Sequence, residues 1–424
     1  MHTIKSIFLG VILCVIPVIA FTQNSTNSPY TRYGYGILAD KAFISQRGMG
    51  GIGYGLRNSQ FINPMNPATY SNADSMTFMF DFGISGQSTW LKDGLNNEKD
   101  RRTNGNLEYV AMQFLLAKKL GFGAGIEPVS YVGYSYMDTA SMKEGALSQA
   151  ISSGSGGFSK VYGALSYDFF DRISVGAKIA YLFGDISHNL VSSNNIGYSY
   201  SFNYLTTMRA SGILYDFGVQ YHQQICKFKY LTIGAVYTPK TSYRVTVQND
   251  TISNDPTTGT YSNKTVISRD SVFEMPASYG IGFTYNQLGK LTIGADVLYQ
   301  RWSNAKFFDQ ANTFNNRLKY NVGGELIPNR TGGSLFNRIR YRAGAFYSNS
   351  YLKVEDSKYN EYGVNIGLGI PMPDRRTEQH SLINVAFEYS RVKPEISAHV
   401  YEQYFKISLS YTFSESWFFK RKLQ

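Results

Sequence analysis

The chain has 424 residues and carries 41 Lys+Arg against 30 Asp+Glu, a net charge of +11, yet only 17% of it is charged while 15% is aromatic. A soluble globular chain carries about 25% charged residues, so this surface is under-charged and rich in rings. Past the N-terminus no apolar run reaches the roughly 20 residues a membrane helix needs, which excludes a helical membrane protein. A β-barrel fits, because lipid-facing and lumen-facing residues alternate and hold the mean hydropathy low, here -0.24.

Residues 1–22 read as a secretory signal peptide. Lys5 supplies the positive start, Ile7 to Ala20 the apolar core, and Ala20-Phe21-Thr22 before Gln23 a small-x-small cleavage site. A membrane anchor would need a longer run and a polar stop-transfer flank. Cys14 follows Leu13 rather than a small residue, which argues against a lipoprotein. Cleavage leaves Cys226 as the remaining cysteine, so the mature chain forms no internal disulfide and no cysteine-rich metal site. The basic residues are dispersed, apart from small clusters such as Lys99-Asp100-Arg101-Arg102. Contact with outer-membrane lipids and lipopolysaccharide accounts for them more simply than nucleic acid does.

Residues 23–75 are rich in Gly (Gly48, Gly50, Gly51, Gly53, Gly55) and contain Asn63-Pro64 and Asn66-Pro67, which favour tight turns over regular elements. The reading is a compact irregular plug inside a barrel; a disordered periplasmic arm is the alternative. Gly48-Met49-Gly50-Gly51-Ile52-Gly53 matches the dinucleotide-binding pattern but lacks the βαβ context that pattern requires.

From residue 76 to 413 the sequence alternates with period two. Ile383, Val385, Phe387 and Tyr389 oppose Asn384, Ala386 and Glu388; Phe405, Ile407, Leu409, Tyr411 and Phe413 oppose Lys406, Ser408, Ser410 and Thr412. About 14 such segments begin near Met76, Leu107, Gly121, Phe158, Arg172, Gly212, Lys229, Phe273, Lys290, Leu318, Asn337, Glu361, His380 and Val400, an even number as bacterial barrels require. Short turns (Lys118-Lys119-Leu120, Phe170-Asp171, Asn286 to Gly289) alternate with longer polar stretches at 91–105, 138–157, 187–206, 248–270 and 302–317, which predicts short periplasmic turns and long outer loops. Residues 414–424 form a periplasmic tail. The fold predicted is an all-β, antiparallel, up-and-down transmembrane barrel with an N-terminal plug.

Alternation also assigns charges to the lumen, since a charge at the lipid midplane costs ~2–4 kcal/mol. The set includes Asp81, Glu127, Lys178, Asp216, Asp296, Glu325, Arg340, Arg342, Glu388 and Lys406. Asp81, Arg340, Arg342, Glu388 and Lys406 form a candidate network, with Lys406 between the strands of Glu388 and Asp81. Mixed signs suit pairing with each other or with the plug; a polar conduction path is the competing account. Pro128, after Glu127, cannot donate to a ladder. It predicts a break in the third strand, either a harmless bulge or a lateral opening into the bilayer. The five histidines lack ligand spacing and no nucleophile elbow is present, so neither enzyme, metal nor cofactor is expected.

Arg47-Gly48-Met49-Gly50-Gly51-Ile52-Gly53, followed by Asn66-Pro67-Ala68, resembles the N-terminal hatch of FadL-type outer-membrane channels, with Thr69 where a Gly often follows. That resemblance implies about 14 strands, a plug, a broken third strand and passive uptake of hydrophobic molecules such as long-chain fatty acids. Ile339 to Tyr347, Asn384 to Tyr389, Tyr404 to Leu409 and the ending Trp417 to Lys422 resemble the Bacteroidota branch of that family. Its PorV-type relatives serve protein secretion, and others act in outer-membrane assembly complexes. A non-transporting barrel subunit with protein partners is therefore the alternative function.

Overall fold

The computed structural model describes residues 26–416 apart from 142–146, 195–200, 256–259, 331–332, 355–356 and 373–380. The expected signal peptide, and residues 417–424 of the expected tail, lie outside the described residues.

One sheet of eighteen strands closes on itself. In chain order the strands are β1 (Ile37–Leu38), β2 (Thr77–Lys92), β3 (Lys99–Ala117), β4 (Leu120–Pro128), β5 (Ser130–Ser141), β6 (Leu147–Phe169), β7 (Ile173–Asn194), β8 (Ser201–Cys226) and β9 (Lys229–Thr238). They continue as β10 (Thr241–Asp255), β11 (Thr260–Met275), β12 (Ser278–Gln287), β13 (Leu291–Gln300), β14 (Arg317–Leu326), β15 (Arg340–Asn349), β16 (Tyr359–Met372), β17 (Ser381–Pro394) and β18 (Tyr401–Ser416). Consecutive wall strands pair antiparallel, and β18 closes the barrel on β2 from Tyr401↔Lys92 to Ser416↔Thr77. β4 with β5, β9 with β10 and β11 with β12 each make one crossing, and β1 stands inside, so the wall has 14 strands.

Each split follows a proline, at Pro128, Pro239 or Pro276, which cannot donate to a neighbour. The splits differ in their neighbours. β9 and β10 both pair with β8, and β12 pairs with β9 as β11 does with β10, so the wall stays continuous there. β4 pairs with both β3 and β6, but among the described residues no ladder joins β5 to β3.

Side-chain burial follows the alternation. Val364 and Ile366 on β16 are 56% and 60% exposed, while Asn365 between them is buried. No helix among the described residues is long and apolar enough to cross a membrane; crossing falls to the strands, whose backbone groups are satisfied within the closed sheet. The tight turns behave as expected: Phe170 and Asp171 both have positive φ in the three-residue connection between β6 and β7, the left-handed conformation that reverses a chain sharply. The long polar stretches do not. Much of 91–105, 138–157, 187–206 and 248–270 is strand, with β7 pairing β8 as far as Ser193↔Ser201 and β10 pairing β11 as far as Asp255↔Thr260. Polarity marks where the wall leaves lipid, and the ladder continues beyond because its hydrogen bonds do not depend on side-chain hydropathy. Only 302–317 remains mostly irregular.

Candidate functional site in the lumen

Residues 26–75 touch inward-facing groups of strands all round the wall. Backbone meets backbone wherever the wall offers glycine. A Cβ on Gly323 (β14) would sit 2.2 Å from the Met49 carbonyl oxygen, one on Gly344 (β15) 2.3 Å from the Gly50 nitrogen, and one on Gly367 (β16) 2.8 Å from the Gly48 Cα. Gly50 and Gly51 have φ of 69° and 81°, which turn the chain back after the one-turn helix Ile44–Arg47. The glycine pattern therefore serves close packing, and no βαβ unit accompanies it.

Asn66 caps the 3₁₀ turn Pro67–Asn72 by accepting from the Ala68 N–H at 3.0 Å, and its amide donates to the Tyr54 carbonyl at 2.8 Å. Pro67 lies against Gly176 of β7. Thr69, at the position where the resemblance leads one to expect glycine, donates its hydroxyl to the carbonyls of Asn63 and Asn66 at 2.9 and 2.8 Å.

Charge ties the segment to the wall. Arg47 pairs with Glu108 at 2.7 Å, and Glu108 also pairs with Lys406 and accepts from Ser85. Glu108 belongs to no alternating set. A bulge between Gly83 and Ile84 pairs them with Tyr109 and Leu107, leaving Glu108 extra, so Glu108 and Tyr109 are buried side by side. Lys406 does lie opposite Glu388 on β17, with β2 on its other side, but its ion pair is to Glu108.

Further round, Glu127 pairs with Lys160 at 2.9 Å and Lys178 with Asp216 at 3.1 Å, while Lys41 of the segment approaches Asp216 at 3.8 Å. Asp40 pairs with Lys319 at 2.7 Å and Arg57 with Asp168 at 2.6 Å. Burial pushes the Asp40 carboxyl up, but Lys319 and Arg47 outweigh it and hold the group well below the usual carboxylate range. Burial, with the nearby carboxylates of Asp296, Asp40 and Asp216 adding to it, raises the Tyr54 hydroxyl far above its ordinary value.

Arg340 and Arg342 both pair with Glu325, at 2.9 and 2.7 Å. Asp296 instead accepts two successive backbone N–H groups of the segment, Gly53 at 2.6 Å and Tyr54 at 2.9 Å. Asp81 departs from the expected network. It is buried on β2 beside the hydroxyls of Thr412, Ser410 and Tyr109, and it makes no ion pair among the described residues, because Lys406 is drawn to Glu108. The expected set thus forms several local clusters rather than one network.

At the break after Pro128, Val129 donates to the Phe158 carbonyl and β5 starts at Ser130. The edge of β5 that faces away from β6 is taken by β1, through Ile37↔Tyr131 and Leu38↔Ser130. Ala39 and Ser28 also donate their N–H groups to the carbonyls of Val129 and Gly133, at 2.9 and 2.8 Å. The segment therefore covers the gap in the ladder beside Glu127 and Pro128. Beside it a cavity of about 290 Å³ remains, bounded by Asp40, Lys41, Pro128, Val129, Leu298 and Trp302, a mixture of charges and apolar groups. No group of three or more metal-ligating side chains occurs among the described residues.

The sequence matches a family model named BamG over residues 3–424. The chain belongs to the BamG family. No curated protein matches it. Among solved structures it is similar to the toluene transporter TodX of P. putida, with a TM-score of 0.61 and 16% identity, covering 90% of this chain and 100% of that one. It is also similar to the Ralstonia pickettii toluene transporter TbuX (TM-score 0.56, 17% identity, 88% and 98% covered). A FadL homologue of Pseudomonas aeruginosa matches with a TM-score of 0.55 at 13% identity, over 89% of this chain and 98% of that one. At these identities the likeness establishes the fold: this BamG-family chain is a FadL-type barrel.

Proposed function

We propose that this BamG-family barrel is a non-transporting subunit of a protein complex in the bacterial outer membrane, reached through a cleaved signal peptide, and that residues 26–75 act as its permanent plug. The observation that carries this reading is a set of ion pairs, Arg47–Glu108 fully buried and Asp40–Lys319 and Arg57–Asp168 partly buried, which holds the segment to different parts of the wall. Breaking the buried Arg47–Glu108 pair alone costs about 3–5 kcal/mol, and a passing solute would have to break the other two with it. The complex is one of protein secretion, with the barrel as a PorV-like shuttle, or one of outer-membrane assembly.

The second reading is FadL-like uptake of a hydrophobic molecule, such as a long-chain fatty acid, leaving sideways past Pro128. The missing ladder between β3 and β5 favours it, together with the neighbouring cavity. In that case β1 has to move, since it occupies the free edge of β5.

Affinity purification of the tagged chain from detergent-solubilised outer membranes separates the two. The subunit reading expects stoichiometric co-purifying proteins; a lone barrel carrying bound lipid or fatty acid overturns it. Conductance in planar bilayers should stay near background until residues 26–75 are deleted.

A further inference from the structure

Close to the β3–β4 and β6–β7 turns, a groove of about 760 Å³ runs across the lipid-facing wall. Tyr167 and Phe169 on β6, Phe217 on β8 and Tyr237 on β9 stand around it, with the small Ala177 and Ala235 between them. Its lining is almost wholly apolar, and the residues named point outward into the lipid-facing band. A concave strip of this kind suits an acyl chain, which fills the dip between ring side chains better than a flat neighbouring wall would.

Cations stand at the foot of the groove. Lys119 pairs with Asp171 at 2.7 Å, but neither Lys118 nor Arg172, both exposed, makes an ion pair with a carboxylate among the described residues. Phe170, between Phe169 and Asp171, is 83% exposed and has φ of 56°. An aromatic residue at the tip of a turn, in a backbone conformation that costs about 1–3 kcal/mol, is unfavourable twice over if the tip meets only water. At the headgroup boundary the ring is instead sheltered, as aromatic residues are at membrane interfaces.

We infer that this groove and its basic foot form a binding site for an anionic phospholipid, with one acyl chain along Ala177 and Ala235 and the headgroup phosphate between Lys118 and Arg172. The phosphate supplies the charge that Lys118 and Arg172 lack, and the chain supplies contacts that Tyr167, Phe217 and Tyr237 leave open. The site is independent of whether the lumen conducts.

The test uses the full chain purified in detergent, incubated with phosphatidylglycerol or phosphatidylcholine and read by native mass spectrometry. Wild type should retain phosphatidylglycerol in preference to phosphatidylcholine. Lys118→Gln combined with Arg172→Gln should weaken retention of phosphatidylglycerol about thirtyfold, from roughly fivefold per cation at an anionic surface, and lower phosphatidylcholine less, since its choline already offsets its phosphate. Ala177→Trp, which fills the groove, should lower retention of both lipids. Heat-modifiable gel mobility reports whether each variant is a folded barrel; if one is not, the wild-type comparison of the two lipids still decides. Equal retention of both lipids by wild type, or retention unmoved in folded variants, overturns the proposal. So does a neutralised foot that keeps phosphatidylglycerol but loses a co-purifying protein, which would make this rim a protein-docking surface.

Discussion

Replacing Glu108 with glutamine probes how firmly the N-terminal segment is held. The side chains of Arg47 and Glu108 are 4% and 0% exposed, and their 2.7 Å contact joins the segment to β3. Glu108→Gln keeps the shape and an oxygen for Ser85, but leaves the Arg47 guanidinium buried without its carboxylate. Arg47 keeps its hydrogen bond from Nε to the Ala42 carbonyl, at 2.8 Å. Lys406, on the far side, still has Glu388 opposite it on β17. Most of the cost therefore falls on Arg47, about 3 kcal/mol at the low end for one broken buried pair, or roughly a hundredfold in the ratio of docked to undocked segment. Trypsin reads that ratio at Arg32, Lys41, Arg47 and Arg57 in the detergent-purified barrel, when closing is faster than cleavage. Cleavage of the segment should accelerate by about that hundredfold in Glu108→Gln, and the Arg47→Met, Glu108→Gln double variant should recover part of the protection. Wild-type cleavage rates in the single variant, or a double variant as labile as the single, would refute the buried-charge argument.

Gly344→Val should undock the segment or unfold the barrel, since its Cβ would lie 2.3 Å from the Gly50 nitrogen and overpacking of this kind costs at least about 1–3 kcal/mol. Ala345→Leu, on the lipid-facing side of the same strand, should leave trypsin protection and gel mobility unchanged. Asp296→Ala removes the acceptor for the Gly53 and Tyr54 N–H groups, at about 1–3 kcal/mol for each buried donor left unpaired; hydrogen exchange at these two amides should quicken, and less so in Asp296→Asn. The depressed Asp40 carboxyl sets a pH dependence. A carboxyl lowered by folding stabilises fully above its unfolded value and loses that contribution as pH falls through its folded value. The difference in protection between wild type and Asp40→Asn should thus hold constant from neutral pH down to about pH 5 and shrink only in stronger acid; a difference that shrinks between pH 8 and pH 6, on the order of these values, would contradict the assignment.

Alternation by itself determined the strand number, the lipid-facing side of the strictly alternating strands and the burial of Glu127, Lys178, Asp216, Asp296, Glu325, Arg340 and Arg342, because a period of two leaves each side chain only two directions. Pro128 marked the broken third strand for an equally local reason, its missing N–H. Pro239 and Pro276 carried the same signal for the two further splits and passed unremarked, and polarity ended several strands too early on the loop side. Tertiary structure decided which charges meet. Alternation says which way a side chain points but not its height in the barrel, which depends on register and shear. Glu108 defeats alternation outright, because the bulge turns it and Tyr109 to the same side. The glycines of β14, β15 and β16 looked like featureless polar-face positions in the strands; only the path of residues 48–50 across them shows that the missing side chains make room for another backbone.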